Sequence, residues 1–166
     1  PARGAVGRPR DLWLLTPRGV AAADLPEIGR TIARSLTRAI PATAPRLREV
    51  ETAGAEMGRE LAAQLGPAPA SGGDDPFGAA LEALGFAPRR ADDGPTARYA
   101  LMTCPYAATV RENPAVVCTM HRGIVRGVLA CLDPEARLTA FEPKDPDAAG
   151  CVVGVERAAP RSPPPG

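Results

Sequence analysis

The spacing of apolar residues predicts several helices in the first half of the chain. Thr16-Pro17 is typical of a helix start, although Pro26 is expected to interrupt that helix. A second helix, predicted to end before Pro41, carries an apolar stripe at four-residue spacing, formed by Ile28, Ile32, Leu36 and Ile40. A third helix is predicted over 46–65, because apolar residues recur on one side until Gly66-Pro67.

The second half of the chain combines helical spacing with short apolar runs and turn signals. Its best-marked element is a helix that begins at Asn113-Pro114, an N-cap followed by proline, and stops before Asp133-Pro134. The predicted order is a short helix over 77–84, strands over 86–90 and 98–103, the helix over 113–132, and strands over 137–142 and 151–157. The pattern therefore predicts an α+β fold with a ββαββ domain.

Charge and tracts rich in proline, glycine and serine suggest how the chain is divided. Residues 1–19 hold Arg3, Arg8 and Arg10 beside an apolar Leu-Trp-Leu-Leu run, which indicates a basic hairpin. The tract PAPASGGDDP is typical of a flexible connector, and the end of the chain is rich in proline. The predicted divisions are a hairpin at 1–19, a helical region at 20–66, a connector at 67–76, the α+β domain at 77–157 and a disordered tail at 158–166.

The charge balance gives no general argument for a nucleic-acid or membrane partner. Twenty basic residues oppose 19 acidic residues, a net charge of +1. No stretch approaches the roughly 20 apolar residues of a membrane helix, and no leader opens the chain. We therefore expect a cytoplasmic protein without a membrane partner, whose four cysteines stay reduced. A metal or redox role is then favoured over disulfides.

The predicted order of elements brings three cysteines to one end of the domain. Cys104 lies at the exit of the second strand, Cys118 lies about one turn into the long helix, and Cys151 opens the last strand from the same end. Cys131 is 13 residues beyond Cys118 on the helix, roughly 20 Å away at about 1.5 Å per residue, and is excluded from the site. The dipole of the helix is expected to lower the pKa of the Cys118 thiol.

The fourth position of this site is left open by the sequence. His121, the only histidine, follows Cys118 by three residues on the same helix face. A shell of three cysteines and His121 suits tetrahedral zinc, whereas three cysteines with an outside ligand suit an iron–sulfur cluster. His121 could instead lie beside the site as a hydrogen-bonding residue, and the cysteines could be small buried hydrophobes. Gly123 and Gly127 would allow close approach of a neighbouring helix, the sheet or a ligand.

The run CPYAATVRENPAVVCTMHRGIVRGVLACL, together with the later GCVVGV, resembles the sensor region of ArsR-like winged-helix regulators that include the Suf-operon iron–sulfur repressors. The segment LEALGF is similar to the entry of that sensor, and GRPRDLWLLTPRG to a wing and the helix after it. The resemblance implies an N-terminal wing remnant, helices and a sensor domain. It also implies an iron–sulfur cluster on Cys104, Cys118 and Cys151, for which the 4Fe–4S type is one candidate.

The same resemblance implies a homodimer that contacts DNA through Arg3, Arg8 and Arg10 of the wing. In such regulators the recognition helix precedes the wing, so this chain alone is not expected to bind duplex DNA specifically. The leading hypothesis is a regulator whose cluster or metal occupancy changes DNA affinity, with the stripe at 28–40 as the dimer helix. The alternatives are an enzyme recruited from this family, with a cluster or a haem held by Cys118 or His121, and a metal-free binding module.

Overall fold

The computed structural model describes residues 17–65 and 75–157, and for residues 17–26 it describes only the course of the helix. Within these ranges the chain forms five helices and one four-stranded antiparallel sheet, so the fold is mixed α and β, as predicted. The elements are α1 (Pro17–Ala39), α2 (Ala44–Leu65), α3 (Pro76–Ala83), β1 (Pro88–Asp93), β2 (Thr96–Leu101), α4 (Ala107–Val110), α5 (Pro114–Leu132), β3 (Arg137–Glu142) and β4 (Cys151–Glu156).

The sheet has the strand order β1-β2-β4-β3, and all neighbouring strands are antiparallel. β1 and β2 form a hairpin around Gly94, which has a positive φ of 59°. β4 lies in the centre beside β2, where Cys151 pairs with Leu101. β1 and β3 are the edge strands. The register between β3 and β4 shifts between Leu138 and Ala140, the position of a β-bulge.

Helix α5 covers one face of this sheet, and its limits follow the capping signals in the sequence. The Asn113 side chain accepts a hydrogen bond from the Val116 amide, and Pro114 occupies the first turn, which lacks intrahelical partners. The predicted start of this helix is confirmed. The buried face of α5 meets the sheet in a core whose largest fully buried side chains are Phe77, Leu81, Phe86, Tyr99, Leu101, Val125, Val128, Val153 and Val155.

Helix α2 packs along α5 through glycines on both helices. An added Cβ at Gly58 would lie 2.2 Å from the Ile124 carbonyl oxygen, and one at Gly127 would lie 2.1 Å from that of Ala55. Gly54 and Gly123 form a second close contact of the same kind. No side chain separates the two backbones at these points. Helix α2 belongs to the same compact unit as residues 77–157, whereas the sequence predicts a division between them at 67–76.

Helix α3 is fixed to the sheet by Asp75. Its carboxylate accepts a hydrogen bond from the Gly78 amide, which caps α3, and a second one from the Tyr99 hydroxyl at 2.8 Å. Arg90 and Arg157 lie 3.2 and 3.7 Å from the same carboxylate. Burial and the hydrogen bond to the charged Asp75 raise the pKa of Tyr99 well above its ordinary value, although Arg90 and Arg157 act in the opposite direction, so the phenol remains a donor.

The structure differs from the prediction at Pro26 and adds one short helix. The predicted interruption at Pro26 is wrong, because α1 runs through it; proline costs one main-chain hydrogen bond, and the preceding alanines at 21–23 favour the helix. The short helix α4 between β2 and α5 was not predicted. Residues 1–16 of the predicted wing, residues 67–74 of the connector predicted at 67–76, and the predicted tail lie outside the described residues. Contacts divide the chain into two units at Ala33/Arg34.

Candidate functional site: a cavity lined by three cysteines

Three of the four cysteines line one small cavity between α5 and the end of the sheet. Cys104 follows β2, Cys118 lies on the second turn of α5, and Cys151 is the first residue of β4. The cavity has a volume of about 20 Å³, room for one water molecule or one ion. Each thiol is half-buried and not in a disulfide. The chain path inferred from the sequence thus brings these three residues together.

Cys131 lies apart from this group. It is exposed near the end of α5 and does not line the cavity. The rise of the helix separates it from Cys118, as the sequence analysis expected. It therefore serves as an internal control for experiments on the other thiols.

The surroundings of the cavity raise the pKa of two of its thiols, Cys118 and Cys104. For Cys118 the causes are burial first, then the charges that Cys151 and Cys104 would carry as thiolates. The pKa of Cys104 is raised mainly by burial, against a hydrogen bond from the Tyr106 amide that lowers it. The expected lowering of the Cys118 pKa by the helix dipole is wrong, because desolvation outweighs it. Cys104 and Cys118 are therefore protonated at neutral pH, and binding of a metal ion to them would release protons.

His121 also lines the cavity and is enclosed by aromatic rings. Its imidazole stacks on Phe86 with 4.4 Å between ring centroids and meets the edges of Tyr106 and Phe141 at 5.9 and 5.0 Å. Only 6% of the residue is exposed, and its Nε2 atom has no hydrogen-bond partner in the described part of the chain. Burial lowers the pKa of His121 to about 4, so the ring is neutral and has a nitrogen lone pair for a ligand.

The loop between β3 and β4 closes the cavity. The Lys144 amide donates a hydrogen bond to Cys151 Sγ at 3.2 Å, and the Gly150 amide donates to the Leu101 carbonyl at 2.8 Å. An ion pair joins Asp147 of this loop to Arg111, just after α4. A larger groove of about 680 Å³ lies beside the loop and shares Cys118 with the cavity. Opening of the loop would join the two spaces.

The donor atoms suit a metal, but they are not in a coordinating arrangement. Among residues 17–65 and 75–157, no three histidine, cysteine, aspartate or glutamate side chains are grouped closely enough to hold a metal ion. Three thiols and an unpartnered imidazole nitrogen around one cavity are nevertheless the ligand types of zinc and iron sites. Binding would therefore require the thiols to move toward one another.

The segment between Cys104 and Cys118 also holds the end of α1. Both oxygens of Glu112 accept hydrogen bonds, one from Arg34 at 2.8 Å and the other from Arg38 at 2.6 Å. The Asn113 side-chain amide donates to the carbonyl oxygens of Thr37 and Ile40, at 3.1 and 3.0 Å. We call this set, Glu112 and Asn113 with residues 34–40, the α1 clamp. It was not predicted, although Asn113 was recognised as a helix cap.

The other predicted site residues fall outside this region. Arg3, Arg8 and Arg10 are not among the described residues. On α1, the stripe residues Ile28, Ile32 and Leu36 are 51%, 54% and 62% exposed. Phe86 and Phe141, which enclose His121, were not predicted as site residues. Their connection to the site is their packing around His121, which depends on the fold.

Comparisons of the chain with protein-family models, curated proteins and solved structures found no match. Of the helices in the described ranges, α5 has the length and apolar content to cross a membrane. Half of its apolar window is buried inside the protein, and core helices of globular proteins meet the same criterion.

Proposed function

We propose that this chain is the sensor part of a winged-helix transcription regulator that binds a metal ion or iron–sulfur cluster through Cys104, Cys118 and Cys151. The observation that carries the proposal is that these three thiols, distant in sequence, line one cavity while Cys131 does not. The unpartnered Nε2 of His121 in the same cavity supports a fourth protein ligand. Reduced thiols require a reducing compartment, so the proposal includes the cytoplasm.

The size of the cavity supports a small cofactor over a large one. A volume of about 20 Å³ accepts a single ion such as zinc with the loop closed. A 4Fe–4S cluster would require the loop over 143–150 to move outward into the neighbouring groove. A haem needs several hundred cubic ångströms, which disfavours the haem enzyme as an alternative. A bound metal would hold the thiolates in one fixed arrangement, and loss of the metal would release them.

The α1 clamp supplies a route from this site to the rest of a regulator. A shift of Cys104 or Cys118 moves the segment between them, and Glu112 and Asn113 within it hold the end of α1. In the proposed regulator, α1 leads from the wing, where Arg3, Arg8 and Arg10 would contact DNA. The exposed Ile28, Ile32 and Leu36 would form the homodimer contact. The ββαββ arrangement of a sensor domain belongs to the same proposal.

Anaerobic purification with metal and sulfide analysis tests the cofactor directly. We expect stoichiometric zinc, or iron and sulfide with a broad visible absorption, in the wild-type protein. Cys104→Ser, Cys118→Ser and Cys151→Ser should each lose most of the metal, because serine is a poor ligand for these ions. Cys131→Ser should retain it and is the matched control.

Circular dichroism of each serine variant separates loss of the cofactor from loss of the fold. A folded protein that lacks metal after anaerobic purification and reconstitution would contradict the proposal. Equal metal loss in Cys131→Ser would contradict the assignment of the ligands. His121→Ala should weaken metal binding without abolishing it, provided that the three thiols supply most of the affinity.

A further inference from the structure

A second groove runs between β3 and the helix pair α2 and α5. Its volume is about 710 Å³. Four arginines line it, Arg59 on α2, Arg122 and Arg126 on α5, and Arg137 at the start of β3, against a single carboxylate, Glu51. All four arginines are exposed. We call this surface the β3 groove.

The charges of the β3 groove are only partly balanced by the protein itself. Glu51 forms ion pairs with both Arg122 and Arg126, and this contact lowers the pKa of its carboxyl group although burial opposes the change. Arg59 and Arg137 have no acidic partner among residues 17–65 and 75–157. The groove therefore keeps an excess of positive charge that an anionic ligand would neutralise.

The wall of the groove is an open strand edge. β3 pairs only with β4, so the main-chain groups on its other side meet no strand in the described part of the chain. The opposite edge, β1, begins with Pro88 and carries charges along its length, a common protection against strand pairing. β3 instead has charged residues only at its ends, with Leu-Thr-Ala-Phe between them.

We propose that the β3 groove binds an extended acidic segment of a partner protein. Carboxylates of that segment would pair with Arg59 and Arg137, and its backbone would add to the open edge of β3. The bulge between Leu138 and Ala140 limits regular pairing, so the arginine contacts supply most of the affinity. This site is separate from the cysteine cavity and does not depend on a bound metal.

The surface suits a peptide better than a nucleic acid. Single-stranded nucleic acids need exposed aromatic rings for base stacking. Among the described residues, Phe141 is the one aromatic residue that lines the groove, and its ring already contacts His121. An open strand edge offers amide donors and carbonyl acceptors to another backbone, whereas a phosphate chain can use only the donors.

Fluorescence anisotropy with the full chain tests this inference. The probes are a labelled peptide of alternating threonine and glutamate, the same peptide with lysine for glutamate, and a short duplex DNA. We expect the acidic peptide to bind, the lysine peptide not to bind, and binding of the acidic peptide to weaken with added salt. Arg59→Glu and Arg137→Glu, each a change of two charge units, should each bind the acidic peptide several-fold more weakly.

Arg89→Glu is the matched control, since Arg89 is exposed on β1 and likewise has no acidic partner in the described ranges. It should bind like the wild type, and all variants should unfold at similar temperatures. Equal weakening by Arg89→Glu would show a nonspecific charge effect and overturn the inference. Tighter binding of the duplex DNA, or no binding of the acidic peptide, would also overturn it. The cysteine variants separate the two proposals, because they should leave peptide binding unchanged.

Discussion

At the scale of single residues, His121 is a buried ionisable group whose Nε2 atom has no hydrogen-bond partner among the described residues. It lies among Phe86, Tyr106 and Phe141, which contribute packing but accept no strong hydrogen bond. Desolvation opposes the charged imidazolium, so the pKa of His121 falls from 6.5 to about 4. The residue is therefore a neutral ring in the folded protein at every pH above that value.

This burial predicts a pH dependence of stability in the metal-free protein. Between about pH 4 and 6.5 the unfolded chain binds a proton at His121 and the folded chain does not, so stability falls as pH decreases through this window. The full effect is about 3 kcal/mol. Urea unfolding of the wild type at about pH 5 and 7 should show most of this loss, and His121→Phe should not. An equal loss in both proteins would mean that His121 is not buried in its neutral form.

At the scale of elements, the contact between α2 and α5 depends on small residues rather than on apolar ones. The buried positions of α2 are Val50, Gly54, Gly58 and Ala62, one every four residues. Gly54 lies against Gly123 of α5, and Gly58 lies against the backbone of Ile124. Such a stripe brings two backbones within contact distance, which gains dispersion energy but leaves no space for a side chain.

Alanine at these glycines should therefore destabilise the protein. For Gly58→Ala or Gly127→Ala the new Cβ would lie 2.2 or 2.1 Å from a carbonyl oxygen, and the helices would have to separate. We expect a loss of about 1–3 kcal/mol in the free energy of unfolding. This loss exceeds the gain of up to about 1 kcal/mol from better helix propensity.

Gly29→Ala is the matched control, because nothing lies within 4 Å of the new Cβ in helix α1. It should stabilise its helix slightly by propensity alone. Chemical denaturation of the three variants measures the comparison. A neutral Gly127→Ala would mean that the helices have room to adjust.

Elements with strong local sequence signals were predicted, whereas the packing of one helix on another was not. The start of α5 was predicted because Asn113 and Pro114 act within the sequence itself, and β3 was predicted over the same residues. The packing of α2 on α5 was not predicted. A glycine within a helix lowers the helix propensity of the sequence. Its advantage, close approach of a second backbone, is visible only when the facing helix is known. Gly123 and Gly127 suggested a close contact on α5, and Gly54 and Gly58 complete it from α2.

At the scale of the whole molecule, the chain path predicted the positions of the cysteines but not their chemistry. Element order alone placed Cys104, Cys118 and Cys151 at one end and Cys131 at the other. The raised pKa of Cys118 depends on burial, and the loop over 143–150 lines the same cavity; its turn-rich sequence predicts a connection between two strands but not that it covers the thiols. The α1 clamp was equally hidden, because Arg34, Arg38 and Glu112 are ordinary surface residues until the fold joins them.

Asn113 has two structural roles in the α1 clamp, and a substitution can separate them. The side chain of Asn113 caps α5 through its oxygen and holds the carbonyls of Thr37 and Ile40 through its nitrogen. Asn113→Asp keeps an acceptor at the helix start, where a negative charge is favourable. It removes both donors and places a carboxylate against two carbonyl oxygens. We therefore expect the end of α1 to loosen while the start of α5 stays ordered.

Hydrogen exchange followed by mass spectrometry distinguishes these effects. In Asn113→Asp, amides over 34–40 should exchange faster than in the wild type, with little change over 116–120, because only the contact to α1 is lost. Asn113→Ala should speed exchange in both segments, since it removes the cap as well. If metal binding at the cysteines acts through this clamp, loading should slow exchange over 34–40 in the wild type and leave it unchanged in Asn113→Asp. An equal slowing in both proteins would mean that the site reaches α1 by another route.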